Sequence, residues 1–245
     1  MTLDYILLLA AGAAAGGVIN GLVGFGTGLF ALGFWLQIMS PLHAVAVVLA
    51  MSVLGGVQGV FLVRKSISWP RLLRFLLPAI VGIPLGFELL KVLDPAVLKI
   101  VIASFMILYG GFFAFRQGLP TFDRQTRAID SFIGFISGIL GGAAGLCGAL
   151  PTMWCAMRPW PKADQRALLQ PFNVIILGIT IILFAFKGAY DTATLISIAI
   201  AFPVTTISAR TGIWLFGKLA DDTFRRLLIL LMLFSGLILL ARELI

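Results

Sequence analysis

Long apolar blocks dominate this chain, among them Ala44–Val63, Leu72–Leu90, Val97–Phe115 and Leu227–Leu240. A helix spans the bilayer core with about 20 apolar residues. In lipid every backbone N–H and C=O must be satisfied within the protein, so blocks of this length are helices. A transmembrane barrel would show short alternating strands instead, and the sequence has none of that pattern. Only 11% of residues are charged, where a soluble domain carries about a quarter.

The formal net charge is +8. In a soluble protein that balance would point to nucleic acid. Here the basic residues sit in short loops between apolar blocks, where they report membrane orientation, so the expected surroundings are a lipid bilayer and not nucleic acid. The N-terminus lacks the basic region of a signal peptide, and its apolar character runs past any cleavage site. Cys147 and Cys155 lie in one apolar segment. They are too few for a disulfide framework and lack metal-ligand spacing, so they read as small buried residues. Neither a cofactor nor a metal is expected.

A search for repeats divides the chain in two. Gly17–Leu29 aligns with Gly134–Leu146, matching Gly17/Gly134, Gly21/Gly138, Gly24/Gly141 and Gly28/Gly145. A second alignment pairs Gly86 with Gly212 and Gly110 with Gly236. The first repeat is read as residues 1–115, with a glycine-interrupted segment 4–38 and helices 42–63, 72–91 and 96–115. Residues 116–129 form a polar linker. The second repeat, 130–245, has its interrupted segment at 130–156 and helices at 165–186, 192–217 and 223–241.

Charge bears on whether the interrupted segments cross. If all eight segments cross, the loop Lys and Arg residues divide nine against eight. If both interrupted segments fold back as re-entrant hairpins, thirteen fall on one face and only Lys91, Lys99, Lys187 and Arg242 on the other. The second division is what the positive-inside rule expects. The predicted architecture is therefore an all-α polytopic membrane protein of two inverted repeats, each a hairpin plus three transmembrane helices. Its linker is cytoplasmic and its termini lie outside.

Inverted repeats place broken helices at the membrane midplane, where substrates bind. The half-helix that starts after each glycine run has unpaired N–H groups and the positive end of its dipole, which suits an anion. Gly24, Phe25, Gly26, Thr27 and Gly28 form one candidate cradle, and Gly141, Gly142, Ala143, Ala144 and Gly145 the other. The competing reading of these glycines is close helix packing. Asn20 and Ser137 are symmetry mates before the runs. Gln170 and Asn173 flank Pro171 in mid-helix, and Arg210 is an intramembrane arginine, a functional candidate by default. Arg166 reads as an orientation charge at a cytoplasmic helix end. Glu88 and His43 lie near outer ends, where solvation explains them. Almost no buried acid is expected.

The runs Gly21-Leu-Val-Gly24-Phe-Gly26-Thr-Gly28 and Gly138-Ile-Leu-Gly141-Gly-Ala-Ala-Gly145, with Pro151 and Arg166-Ala-Leu-Leu-Gln170 after them, resemble the TauE/SafE family, also called TSUP transporters. The resemblance covers essentially the whole chain. It implies a transporter of the bacterial inner membrane for sulfite, an organosulfonate or a related small anion. Ala143, Ala144, Phe25 and Thr27 depart from the family's glycine pattern, which bears on the particular anion. An anion channel, uptake of another anion, an assembly subunit and a membrane-embedded enzyme are the alternatives. A single histidine and scarce buried acids weigh against the enzyme. The oligomeric state, a homodimer included, stays open.

Overall fold

A computed structural model of the chain describes residues 3–92 and 126–244, with residues 100, 103, 104, 107, 108, 110 and 111 between them. Most of the expected helix 96–115 and of the linker 116–129 lies outside the described residues. Every regular element described is a helix: α1 (Leu3–Val23), α2 (Thr27–Trp35), α3 (Pro41–Val63) with a short 3-10 turn after it, α4 (Trp69–Val92), α5 (Arg127–Ala144), α6 (Ala149–Ala156), α7 (Lys162–Phe186), α8 (Thr192–Lys218) and α9 (Asp221–Leu244). Among the described residues, five spans are long and apolar enough to cross a bilayer: Leu3–Val23, Leu42–Ser66, Trp69–Leu89, Lys162–Phe186 and Thr192–Lys218. Large apolar side chains are exposed along their outer faces, such as Leu77, Val81 and Leu85 on α4 and Phe202, Ile207 and Trp214 on α8. In water such faces would associate.

Each glycine run ends a helix through backbone geometry that other residues resist. Gly24 and Gly26 have φ of 92° and 97°, in the left-handed region that favours glycine. They separate α1 from α2. Gly145, at φ 68°, ends α5, its N–H donating to Gly141 O and that of Leu146 to Leu140 O, the bonding of a left-handed glycine cap.

After each break the chain doubles back. The Trp35 indole N–H at the end of α2 donates to Leu9 O near the start of α1 at 3.1 Å, and Thr27 and Ala31 pack on Gly16. The α6 Trp154 indole N–H donates to Asp130 in the first turn of α5 at 2.8 Å. The starts of α4, α5 and α7 and the end of α8 meet at one end of the bundle. There Arg71 lies 3.7 Å from Asp164, Arg158 3.5 Å from Asp130, and Lys162 donates to Phe216 O at 3.2 Å. Opposite, the starts of α1, α3 and α8 are joined by the Tyr5–Ser197 hydrogen bond at 2.7 Å and by His43 at 3.6 Å from Asp191.

Partners are exchanged between the halves. α1 packs on α8, α5 on α4, and α3 on α7. The first two crossings run parallel and very close. A β-carbon at Gly21 would fall 2.0 Å from Ala209 O, and one at Gly138 would fall 2.0 Å from Ala79 O. From the facing helices, Gly86 and Gly212 approach Ile139 O and Val18 O as closely. Small residues let membrane helices gain dispersion energy at such distances. Of the glycines that align between the halves, Gly17, Gly21, Gly134, Gly138, Gly86 and Gly212 therefore serve these crossings.

Candidate functional site

The two breaks face each other at the centre of the bundle. Gly148 lies so near the other tip that a β-carbon there would be 2.7 Å from Phe25 Cβ, and Gly28 stands beside Val48 and Leu146. Between the tips is a cavity whose lining includes Asn20, Gly24, Phe25, Gly26, Thr27, Gly28, Ser52, Gly56, Gly145, Leu146, Gly148, Ala149, Asn173 and Leu177. It leaves about 20 Å³ for the centre of a water-sized sphere, room for roughly one water. No described lining residue is charged.

Buried amides hold the tips. Asn20 Nδ2 donates to Thr27 Oγ1 at 2.9 Å and to Ser52 O at 3.0 Å, tying α1, α2 and α3 together. Gln170 Nε2 donates to Gly56 O at 3.0 Å and approaches Asn20 Oδ1 at 3.5 Å. Its Oε1, buried against Gly24 and Gly59, has no hydrogen-bond partner among the described residues. Asn173 Nδ2 donates to Gly24 O at 3.1 Å, and its Oδ1 accepts the Cys147 thiol at 2.9 Å. Asn173 thus joins the first tip to the second. α2 and α6 both begin at the cavity, and neither has a side-chain N-cap. In α2 the first N–H groups are the donors that capping would otherwise occupy, whereas in α6 the Ala149 N–H donates to Leu146 O at 3.4 Å and Pro151 has none, which leaves that of Leu150.

Arg166 corrects the sequence reading. It is fully buried, and its guanidinium donates to Gly21 O at 2.5 Å and Leu22 O at 3.2 Å while stacking 4.3 Å from the Phe216 ring centroid. Those carbonyls belong to the last turn of α1, the negative end of its dipole, where a cation is favourable. Arg166 neutralises that end beside the cavity instead of marking a membrane face. Arg210 is exposed and outside the lining, because α8 turns its neighbour Ala209 toward Gly21.

The remaining candidates divide. Asn20, Gly24 to Gly28, Gly145 and Asn173 come together at the cavity, with Gln170 just behind them. Ser137 is buried in α5, its hydroxyl donating to Ile133 O at 2.6 Å. Gly142 packs on Ile83 O, Gly141 packs on Cys147 and Ile176, and Ala143 is buried. The Ala144 side chain lies outside the described residues. In the second half the cavity wall begins at Gly145 and runs on through Leu146, Gly148 and Ala149, later than the glycine alignment suggested. Ser52 and Gly56 were also missed. Their one-turn spacing on an apolar helix was the available signal. Asp130, expected in no buried position, is buried and paired with Arg158.

Comparison with known proteins adds the family. The model of the family Sulfite exporter TauE/SafE matches residues 8–239. The chain is also similar to a protein named Probable sulfite/organosulfonate exporter TauE from Cupriavidus necator. The two are 24% identical over 212 residues, covering 84% of this chain and 82% of that protein.

Proposed function

The chain belongs to the TauE/SafE sulfite exporter family and is a multi-pass membrane transporter, not an enzyme; we propose that it exports a small sulfur oxyanion, sulfite or an organosulfonate, held between the two tips. The observation that carries this reading is the convergence of two helix starts without side-chain caps on one small cavity that Asn20, Thr27, Ser52 and Asn173 line among apolar residues. Paired positive dipole ends at the meeting point of two broken helices suit an anionic headgroup. The similar protein's name supplies the sulfur chemistry. A cavity with room for a single water is smaller than any of these anions, so the tips must part to load and release it, as in alternating access.

In this proposal α1–α2 and α5–α6 are re-entrant hairpins of two inverted repeats in an inner membrane, with both termini outside. Its support is that α1 starts at one end of the bundle and α5 at the other, and that each ends at the central cavity. α1 has the length of a crossing, but Gly21 lies level with Ala209, nine residues before the end of α8. The end bearing Arg64, Lys65, Arg71, Arg158, Lys162 and Lys218 would then be cytoplasmic. Cysteines placed at Ser66 and Pro159, with Cys147 and Cys155 replaced, should both resist an impermeant thiol reagent applied to intact cells, whereas one at Lys187 should react. Labelling of only one of the first two would rule out this orientation.

Binding is tested by thermal stabilisation of the purified protein. An anion present at a hundred times its Kd should stabilise it by about 2.7 kcal/mol. Gly28→Leu should keep the fold, since a β-carbon there meets the side chains of Val48 and Leu146, not backbone, but fill the cavity and abolish the stabilisation. Undiminished stabilisation in that variant would remove the cavity from the mechanism.

A further inference from the structure

We propose that Arg166 is the substrate's charge partner on the basic side of the cavity, and that an anion drawn to it releases the first tip. This rests on the anion transport proposed above and names the group that supplies the charge. The described lining residues of the cavity are neutral, so a balancing cation has to come from beside it. Arg166 is fully buried, in a helix long and apolar enough to cross a bilayer. Among the described residues no carboxylate pairs with it, whereas Arg71 and Arg158, at the end of the bundle, have Asp164 and Asp130. A guanidinium keeps its charge, and a buried intramembrane cation is a mark of an ion path. Its bonds go to two neutral acceptors, Gly21 O and Leu22 O. Its Nε–H, also buried, has no acceptor among the described residues. The partner that this arrangement lacks is an anion with several acceptor oxygens.

The sequence of α7 puts Arg166 on a line between the basic end of the bundle and the cavity. Lys162, Arg166 and Gln170 follow one another at four-residue spacing, which is one stripe of a helix. Asn173, a lining residue of the cavity, continues that stripe. At its start Lys162 donates to Phe216 O, and Arg166 stacks on the Phe216 ring. Phe216 belongs to an apolar cluster with Leu22, Val23 and Phe25 of the first tip and Met153 of α6. In this proposal that cluster is the barrier on the basic side, and Arg166 is the latch on its first-tip half. An oxyanion offers the guanidinium two parallel acceptors and a full negative charge, against roughly half a charge at the end of α1. The exchange favours the anion, and it strips Gly21 O and Leu22 O of the donors that hold the tip. Loading and opening then become one event.

Hydrogen–deuterium exchange of the full-length purified protein, with and without saturating methanesulfonate or sulfite, reads the tip directly. A ligand that only fills a cavity slows exchange around it. Here the amides of residues 21–26 should exchange several-fold faster with either anion bound. Isothermal titration is the second measurement. Arg166→Lys keeps the charge but loses the fork, so both anions should bind it at least about tenfold more weakly, and the gain in exchange should vanish. The exchange arm needs no variant, so it decides even if Arg166→Lys fails to fold. Exchange at residues 21–26 that slows or stays unchanged with anion bound, or wild-type affinity in Arg166→Lys, overturns the inference and leaves the anion site standing. Binding of neither anion to the wild-type protein overturns both.

Discussion

Arg166→Leu is expected to destabilise the protein by about 2–5 kcal/mol and to abolish anion binding in whatever fraction still folds. The guanidinium satisfies two carbonyls at the end of α1, Gly21 O and Leu22 O. Each loses its donor when leucine replaces arginine, and a buried acceptor without a partner costs about 1–3 kcal/mol. The dipole end of α1 would also stand uncompensated next to the cavity. Arg166→Lys restores the charge but not the fork that reaches two carbonyls at once, so stability and affinity should recover only in part. Denaturant unfolding in detergent, with titration of methanesulfonate into each variant, makes the measurement. Wild-type stability in Arg166→Leu would show that the buried arginine is not what holds the first tip.

Gly138→Leu is expected to be at least as damaging, by more than about 3 kcal/mol, and to leave little folded protein. Its β-carbon would fall 2.0 Å from Ala79 O and 2.6 Å from the carbon of the same carbonyl. Backbone cannot rotate aside as a side chain does, so α5 and α4 would have to separate along their whole contact. Gly178 is the control, since a β-carbon there meets nothing within 4 Å. Gly178→Leu should be neutral or gain up to about 1 kcal/mol from helix propensity. Size-exclusion profiles and melting curves of the two variants compare them directly, and similar behaviour would refute the crossing geometry.

Much of the fold was legible because its rules operate along the chain. Apolar block length identifies membrane helices, and the breaks at Gly24–Gly26 and Gly145 fall where few residues but glycine tolerate a positive φ. The tip amides were legible for a similar reason, since Asn20, Gln170 and Asn173 are conspicuous in apolar helices. What failed was anything decided by rotation about a helix axis. Arg166 at the start of a helix looks like an interface charge until α7 is seen to turn it toward α1. Arg210 deep in an apolar block looks like a ligand until α8 turns it outward. Gly141 and Gly142 align with Gly24 and Phe25 of the first tip, yet Gly141 packs on Cys147 and Ile176 and Gly142 serves the crossing with α4, and the wall of the cavity is shifted toward Gly148. One-dimensional similarity finds equivalent positions but not which neighbour each will meet.

The exchange of helix partners also constrains how the chain can be made. Gly17 and Gly21 rest on Thr205 and Ala209, almost 190 residues further along. When the first hairpin leaves the ribosome, the surface it docks on has not been synthesised. It must wait in the lipid with its glycine face uncovered while α3, α4, α5 and α7 are translated and inserted. The second hairpin has no such delay, because α4 precedes α5 and is ready to receive it. Assembly is therefore ordered opposite to synthesis, the later hairpin seating before the earlier one. A nascent chain stalled before residue 192 would hold the α4–α5 crossing already made and the glycine face of α1 still without a partner.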